Sequence, residues 1–252
     1  RQYTRLDFNP PRLSQTITLP TGTQARGVAT DKQGNVWVVD ASASDRVLGY
    51  ARKDLEVNVG GAIAPFAIID VPDTISGVND KAEGIAFDKD GNLWVSTFTF
   101  NDSLLKFDAA KLEQKPEPSV TLTFQSAPFP GVNFSLFAPK SIAFDKDGNL
   151  WVSNNVNKTV AKFSPPFQTG APTPVLMLTN VGDNLGGIAF DNAGALWVSA
   201  TGKLVKYGLE KLSLTGAVSI TPDVTLSVDL GENVSAAATV FTPASRNLPI
   251  AP

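Results

Sequence analysis

The side chains of this sequence that could do chemistry are almost all oxygen donors. The 252 residues include 24 Asp and Glu but no histidine and no cysteine. Without histidine, a Ser-His-Asp triad, a histidine general base and His-rich zinc sites are excluded. Without cysteine, there is no disulfide or thiolate site to consider. The candidate that remains is a hard divalent cation such as Ca²⁺ held by carboxylate and amide oxygens.

Two acidic turns have a spacing similar to that of a calcium loop. Residues 88–91 and 145–148 both have the sequence Asp-Lys-Asp-Gly. Neither turn supplies the further ligands or the closing Glu of an EF-hand. A solvated hairpin accounts for both, because the first Asp can accept a hydrogen bond from the backbone two residues on and the Gly supplies a positive φ.

These turns belong to a unit that the chain repeats. Residues 143–153 repeat residues 86–96 without a change, and two looser copies start at Gly27 and Gly187. All four tryptophans occupy the same position of the unit. The apolar runs on either side of Asp-x-x-Gly predict two short strands, A and B, joined by a tight hairpin. Such a hairpin is not stable alone, so the copies must bury one another.

A second pattern follows each hairpin and predicts two more strands, C and D. It consists of an aromatic residue, a Leu five places later and then a short β run, and it occurs at Phe8, Tyr50, Phe107 and Tyr207, with a variant at Phe163. The turn glycines at 34, 91, 148 and 194 are 57, 57 and 46 residues apart. These spacings fit the four-stranded blades of a β-propeller with insertions.

The sequence therefore predicts an all-β fold, a five-bladed β-propeller that forms a single domain over residues 1–252. Four blades are expected at about 25–72, 82–125, 139–180 and 185–230. The fifth blade is split, with strands C and D in residues 1–20 and strands A and B in residues 236–252, where Pro249 stands in the Trp position. Pairing of the two termini would close the ring without an open sheet edge. A sixth blade lost by truncation is the structural alternative.

The repeated sequence at residues 84–96, Gly-Ile-Ala-Phe-Asp-x-x-Gly-Asn-Leu-Trp-Val-Ser, resembles that of the NHL-repeat and gluconolactonase (regucalcin-like) β-propellers. The resemblance touches every blade, although that family usually has six. It is more specific for fold than for function, because this superfold hosts hydrolases, lyases, sensors and binding modules. Lyases of this group that depend on a channel histidine are excluded by composition.

The same resemblance implies a place for a metal. In gluconolactonase-like enzymes the residue before the strand A glycine points into the central channel, where Glu, Asn and Asp hold a cation that polarises the lactone. Only Glu83 matches such a ligand here. The alternative is an ion pair of Glu83 with Lys140 or Arg26 across the channel, because a buried charge needs a partner. Around the ring this position holds Arg26, Glu83, Lys140, Gly186 and, by a weaker alignment, Ala237.

The ends of strand B form a second inner ring, which consists of Asp40, Thr97, Asn154 and Ala200. Asp40 and Asn154 could converge with Glu83 on a calcium ion, with Asp45 or Asp102 from the following loops. The competing interpretation is that Asp, Thr and Asn end these strands by hydrogen bonding to nearby backbone.

Long loops share one face of the predicted propeller. The connections at 71–81 and 125–138 join strand D to the next strand A and lie with the B-C loops. The second connection contains Phe129, Phe134 and Phe137. Aromatic loops on a rigid scaffold often form recognition surfaces. These rings could equally fold inward and plug the mouth of the channel.

Composition limits the partners. The net charge is −3, the pI is about 5.0 and no Lys/Arg run exceeds a dipeptide, which argues against nucleic acids and anionic membranes. No apolar run approaches a membrane span. The chain begins at Arg1, which suits an exported protein after cleavage and equally a trimmed chain.

We therefore expect a secreted, cell-surface or periplasmic module that binds a protein, a surface polymer or further copies of itself through its loop-rich face, without catalysis or a cofactor. The alternative is a metal-dependent lactonase or ester hydrolase that uses Glu83, Asp40 and Asn154. A third hypothesis is a lectin-like module that stacks sugars on exposed aromatic rings, although strand B should bury the tryptophans.

Overall fold

A computed structural model of the chain describes residues 18–42, 45–57, 62–72, 81–98, 102–123, 129 and 138–227. In these ranges the chain forms four β-sheets, two short α-helices, Arg52–Val57 and Leu209–Leu212, and one turn of 3-10 helix, Ala109–Lys111. No helix among them is long and apolar enough to cross a membrane.

Each sheet is one predicted blade, with strands A to D in antiparallel order. Blade 1 consists of β1 (Ala25–Thr30), β2 (Val36–Asp40), β3 (Arg46–Tyr50) and β4 (Ala67–Asp70). Blade 2 consists of β5 (Lys81–Phe87), β6 (Leu93–Phe98), β7 (Ser103–Phe107) and β8 (Val120–Thr123). Blade 3 consists of β9 (Pro139–Phe144), β10 (Leu150–Asn154), β11 (Thr159–Phe163) and β12 (Leu176–Leu178). Blade 4 consists of β13 (Ile188–Phe190), β14 (Leu196–Ala200), β15 (Lys203–Tyr207) and, after β16 (Gly216–Val218), β17 (Val224–Ser227).

The part of the chain that the structure describes contains four blades and not five, at the places predicted for the four unsplit blades. Closure of the ring by the termini is not shown, because residues 1–17 and 228–252 lie outside the described ranges. The described end of the N-terminal segment is Thr18, which forms a parallel bridge with Ala62 of blade 1.

Blade 3 has five strands instead of the predicted four. Strand β16 comes from the next repeat along the chain and pairs in parallel with β12. A similar parallel bridge joins Leu122 of blade 2 to Gly170 of the following repeat. The physical reason is that strand D is an edge strand, whose unpaired N–H and C=O groups need partners.

The A-B hairpins form as predicted from the Asp-x-x-Gly turns. The Asp145 carboxylate accepts hydrogen bonds from the backbone N–H groups of Asp147 and Asn149, at 3.0 and 2.9 Å. Gly148 closes this turn with φ +81°, where a side chain would be strained. The other three copies of the turn bond in the same way, at Asp31, Asp88 and Asp191.

The Asp of each of these turns also accepts a hydrogen bond from a tryptophan side chain, a contact that sequence reasoning missed. The Trp151 indole N–H donates to the Asp145 carboxylate at 2.9 Å, and the same bond of 2.9 to 3.0 Å recurs in the other three described blades. The available signal was the constant spacing, since Trp always follows this Asp by six residues. The hydrogen bond satisfies the indole donor, and the ring can therefore be buried between blades.

The core lies between neighbouring blades and is built around these rings. Trp37, Trp94 and Trp151 are fully buried, as predicted, whereas Trp197 is half-buried. Each buried indole contacts a phenylalanine from strand A of the next blade, with ring centroids 5.7 to 5.8 Å apart, in the pairs Trp37 with Phe87, Trp94 with Phe144, and Trp151 with Phe190.

Strands A of successive blades approach one another closely. A Cβ atom added at Gly84 of β5 would lie 2.9 Å from the Cα atom of Ser141 in β9. One added at Gly27 of β1 would lie 2.6 Å from the Glu83 carbonyl oxygen. Only glycine permits this approach without displacement of the neighbouring backbone, and it brings the residues before these positions together.

Candidate functional site

The residues that precede the strand A glycine or its equivalent meet at one point. Arg26 of β1, Glu83 of β5 and Lys140 of β9 occupy the same position of their strands. One Glu83 carboxylate oxygen lies 3.3 Å from the Arg26 guanidinium, and the other lies 2.6 Å from the Lys140 ammonium nitrogen. Glu83 is buried, while both cations keep partial contact with solvent. The three side chains form an ion-pair cluster that joins blades 1, 2 and 3.

The backbone around this cluster is also fixed. The Ser96 hydroxyl accepts a hydrogen bond from the Gly84 N–H at 2.8 Å. In blade 3 the Ser153 hydroxyl accepts one from Ser141 and donates one to the Gly186 carbonyl, each at 3.0 Å. Glu83 therefore extends from a rigid strand toward two cations, and its local environment is net positive. A divalent cation would have to displace Lys140 or Arg26 to reach either oxygen.

Asp40, the second predicted metal ligand, is fully buried and bonds within its own blade. Its carboxylate accepts hydrogen bonds from the backbone N–H groups of Gln24 and Ser42, at 2.9 and 3.1 Å, and from the Arg46 guanidinium at 3.0 Å. Burial alone would raise the pKa of Asp40, but these hydrogen bonds outweigh it and hold the pKa below its ordinary value. Asp40 therefore stays ionised and stabilises the end of strand B through these hydrogen bonds.

Asn154, the third predicted ligand, is also fully buried. Its side-chain oxygen accepts hydrogen bonds from the backbone N–H groups of Ala138 and Asn157, at 3.3 and 3.2 Å. The oxygen that would bind a metal is thus already an acceptor within the loop. At the equivalent position of blade 2, Thr97 bonds to Ser103 at 2.8 Å. The ends of strand B hold their own loops together.

Asp45, named as a supplementary ligand, joins blade 1 to blade 2. It is buried and accepts hydrogen bonds from the Lys81 ammonium group at 2.8 Å and from the Ala82 N–H at 3.3 Å. Asp102 lies directly before β7. Among the residues that the structure describes, no group of three or more His, Cys, Asp or Glu side chains could hold a metal ion. Glu83, Asp40 and Asn154 have separate protein partners, and a metal there stays a prediction that requires these partners to be released.

The loop-rich face carries two exposed apolar side chains that sequence reasoning did not single out. Phe98 at the end of β6 and Val156 in the β10–β11 turn are 38% and 47% exposed. The signal was an apolar residue beside a strand end within an otherwise polar loop. Phe129 of the predicted aromatic loop is half-buried against the cluster that contains Trp94. Phe134 and Phe137 lie outside the described residues.

The opposite face has a cleft of about 320 Å³ between the A-B turns of blades 3 and 4. Its acidic residues include Asp145, the first Asp of one calcium-like turn. Burial raises the pKa of this carboxyl, but the hydrogen bonds from Trp151 and Asn149 more than offset it and leave the pKa below its ordinary value. Lys162 lies over the Trp151 ring, 5.3 Å from its centroid. The carboxylate is occupied as a turn acceptor, as expected of a structural hairpin.

No protein-family model and no curated protein matches this chain. Solved structures do match it. A protein of unknown function from Bacteroides caccae is 18% identical with a TM-score of 0.55, over 86% of this chain and 65% of that one. A gluconolactonase-like protein is 16% identical with a TM-score of 0.53, over 93% of this chain and 70% of that one. A protein from Lactobacillus plantarum is 17% identical with a TM-score of 0.55, over 82% of this chain and 57% of that one.

The fold is a β-propeller. At these identities the shared property is the fold alone, and nothing specific to NHL repeats is shown. The chain spans about two thirds or less of the Bacteroides and Lactobacillus proteins. Because strands A line the central channel of a propeller, the cluster of Arg26, Glu83 and Lys140 belongs to the channel wall.

Proposed function

We propose that this β-propeller is a binding and assembly module without catalytic activity, and that its loop-rich face holds the partner. The observation that carries the proposal is the position of Glu83. Among the described residues that precede the strand A glycine or its equivalent, it is the only one of a metal-ligand type, and both of its oxygens lie against cations. A carboxylate in this arrangement stabilises the inner strands and is not available to a metal.

The loop-rich face supplies the proposed partner-binding surface. Phe98 and Val156 present apolar side chains on the B-C loops of neighbouring blades. Lys158 of the second loop forms an ion pair with Asp183 at 2.5 Å, which ties this loop to the segment that leads into blade 4. Apolar groups on loops that a rigid scaffold positions are typical of recognition surfaces. Phe129, Phe134 and Phe137 belong to the same face in the proposal.

We propose a protein or a surface polymer as the partner, with further copies of this chain as a special case, and an extracellular, cell-surface or periplasmic location. The competing function is a divalent-metal-dependent lactonase or ester hydrolase that uses Glu83, Asp40 and Asn154. The gluconolactonase-like structural neighbour supports it at the level of fold only. That function requires a cation at a position now occupied by Lys140.

Thermal unfolding separates the two functions. The wild type and Glu83→Gln are melted in excess EDTA and then in millimolar calcium, magnesium, manganese or zinc. A ligand at about a hundred times its dissociation constant stabilises a fold by roughly 2.7 kcal/mol, which a melting curve resolves. We expect superimposable curves for the wild type. A metal-dependent rise that Glu83→Gln abolishes would overturn the proposal and lead to a lactone screen.

The binding surface is tested with variants on the two faces. Phe98→Ser and Val156→Ser change the loop-rich face, and Leu209→Ser is the control because Leu209 is 53% exposed beside the cleft on the opposite face. Sedimentation velocity measures self-association, and a pull-down on isolated cell-wall polymer measures polymer binding. Loss with the loop variants and retention in the control is expected. Equal behaviour of all three variants contradicts the assignment of this face.

Closure of the propeller ring is also part of the proposal. We infer that residues 1–20 and 236–252 form a fifth blade, so that residues 1–252 make one domain. The loop-rich face described here depends on blades 2 and 3 and does not require this closure.

A further inference from the structure

Blade 4 ends the described array with an apolar face. This face, called here the blade 4 outer face, consists of Trp197, Leu204, Val224 and Leu226. Strand register makes Leu226 the equivalent of Leu122 in blade 2 and of Leu178 in blade 3. Both counterparts have no exposed surface, because the next blade covers them, whereas Leu226 is 47% exposed. The outer face of blade 4 is therefore built for a further blade.

Blade 1 shows the complementary surface at the other end of the array. Val28 of β1 is 46% exposed, whereas its equivalents in the other blades, Ile85, Ile142 and Ile188, are at most 6% exposed. The rest of this side of blade 1 is covered in part by Leu19, which packs against the cluster of Leu48 and Tyr50.

The bridge between Thr18 and Ala62 indicates what covers blade 1. Ala62 lies between strands C and D of blade 1, as Gly170 lies between strands C and D of blade 3. Gly170 bridges Leu122 in strand D of the preceding blade. Thr18 therefore occupies the place of strand D in a blade that precedes blade 1. Its strands A and B have to come from elsewhere in the chain.

The aromatic pairs between blades identify the segment of the chain that supplies strands A and B of this further blade. Each buried Trp packs on the Phe at the end of the next strand A, and Phe241 is the next Phe after Trp197. Fifteen positions separate Leu226 from Phe241, compared with twelve from Leu178 to Phe190 and twenty-two from Leu122 to Phe144. The connection is thus of ordinary length for this chain.

Blade 1 is an exception to this aromatic pattern, because its strand A does not end in Phe. Thr30 pairs with Val36 as Phe87 pairs with Leu93, so Thr30 takes the Phe position in blade 1. The C-terminal segment has Pro249 at the Trp position. In a ring whose fifth blade lies between blades 4 and 1, these two departures fall on the same interface. Each of the four Trp residues then packs on a Phe at the end of the next strand A, and the Trp position filled by Pro249 meets the Phe position filled by Thr30.

We propose that residues 236–252 of the same chain cover the blade 4 outer face, and that Phe241 packs on Trp197 as Phe190 packs on Trp151. This rests on the fifth blade proposed above. The partner of the outer face is thus a strand pair of this chain, whose apolar residues include Phe241, Leu248 and Ile250.

A double-mutant cycle tests the contact. Trp197→Leu and Phe241→Leu are measured singly and together by urea unfolding, next to the reference cycle of Trp151→Leu with Phe190→Leu. We expect both cycles to be non-additive in the unfolding midpoint, because each second substitution removes a contact already lost. Trp197→Leu with Phe144→Leu is the additive control. Additivity of Trp197 with Phe241, beside coupling in the reference cycle, overturns the proposal.

Cross-linking distinguishes the chain's own segment from a second copy. The chain has no cysteine, so Trp197→Cys with Phe241→Cys gives a single reactive pair for a short bismaleimide, and Trp94→Cys with Phe144→Cys is the reference pair. A cross-linked monomer is expected. A cross-linked dimer, or no product beside a reactive reference pair, overturns the proposal. Partner binding is measured separately on the Phe98 and Val156 variants, so its failure is distinguishable from failure of closure.

Discussion

The Glu83 carboxylate of blade 2 lies 2.6 Å from the Lys140 ammonium nitrogen of blade 3, and the carboxylate is the buried member of the pair. The two residues hold the same position before hairpins that are identical over residues 86–96 and 143–153, yet carry opposite charge. Opposite charges at this position form an ion pair where two like charges would repel each other.

Removal of Lys140 should destabilise the protein more than removal of the Glu83 charge. Lys140→Met leaves a buried carboxylate with Arg26 alone, and we expect a loss of about 2 kcal/mol in the free energy of unfolding. Glu83→Gln leaves two cations that reach solvent, and the expected loss is about 1 kcal/mol. Urea unfolding measures both.

The control for these variants is Lys146→Met, which removes a surface pair with Asp147 that is more than half exposed on both sides. We expect its urea midpoint to match that of the wild type, because the pair is screened by solvent. If Lys140→Met matches this control, the channel ion pair does not contribute to stability.

Asp145 should be one of the most sensitive polar residues of the hairpins. Asp145→Ala removes the acceptor for the backbone N–H groups of Asp147 and Asn149, for the Asn149 amide and for the Trp151 indole. With a buried indole donor left unpaired, we expect a loss of about 2 to 4 kcal/mol. Denaturant unfolding followed by tryptophan fluorescence checks this. Asp147→Ala, on the exposed side of the same turn, should change stability by less than about 0.5 kcal/mol, and an equal loss in both variants would refute the role of the indole bond.

Stability should be flat from about pH 5 to 8 and should fall in acid. The chain has no histidine, so no side chain with an ordinary pKa near about 6.5 titrates in that range. The pKa values of Asp40, Asp145 and Asp191 are lowered in the fold. Their contribution is fully present above the unfolded pKa of about 3.9 and is lost as the pH falls through the lower folded values.

Urea midpoints between about pH 2.5 and 8 test this dependence, since linkage relates the slope to proton uptake. Asp145→Asn cannot take up the proton and should show a shallower acid limb than the wild type. A steep change near pH 6.5, or an unchanged acid limb in the variant, would contradict this account.

Gly84→Ala should be destabilising although Gly84 does not have a positive φ. The added Cβ atom would lie 2.9 Å from the Ser141 Cα atom, which is backbone and moves only with its strand. We expect a loss of about 1 to 3 kcal/mol, as for overpacking of a core. Ser141→Ala, at the equivalent position of blade 3, is the control and should lose only the hydrogen bond that the Ile188 N–H donates to the Ser141 hydroxyl, about 1 kcal/mol. Equal melting temperatures for Gly84→Ala and the wild type would show that the strands separate without cost.

The hairpins and their order were predictable because the information is local. Asp145, Gly148 and Trp151 lie within one turn and one strand, so composition and spacing are sufficient to predict the fold of the unit. The ion pairs of Glu83 were predictable only as one of two alternatives. Which of them forms depends on the distance between strands of different blades, and the close approach at Gly27 and Gly84 sets that distance.

Strand β16 could not be predicted, because nothing in Gly216–Val218 alternates in the manner of a half-buried strand. It is a strand only because the free edge of β12 lies beside it. Phe98 and Val156 were missed for a related reason. The sequence shows that both are apolar residues beside a strand end, but their exposure is a property of the assembled face.

The pairing of β12 with β16 has a consequence for the unfolding transition. Blades 3 and 4 share a hydrogen-bonded ladder in addition to an apolar interface, so neither can open without exposing backbone groups of the other. Repeat arrays without such links can lose units one at a time. Here amide exchange in Leu176–Leu178 should occur together with exchange in blade 4, and these two blades should behave as one cooperative unit.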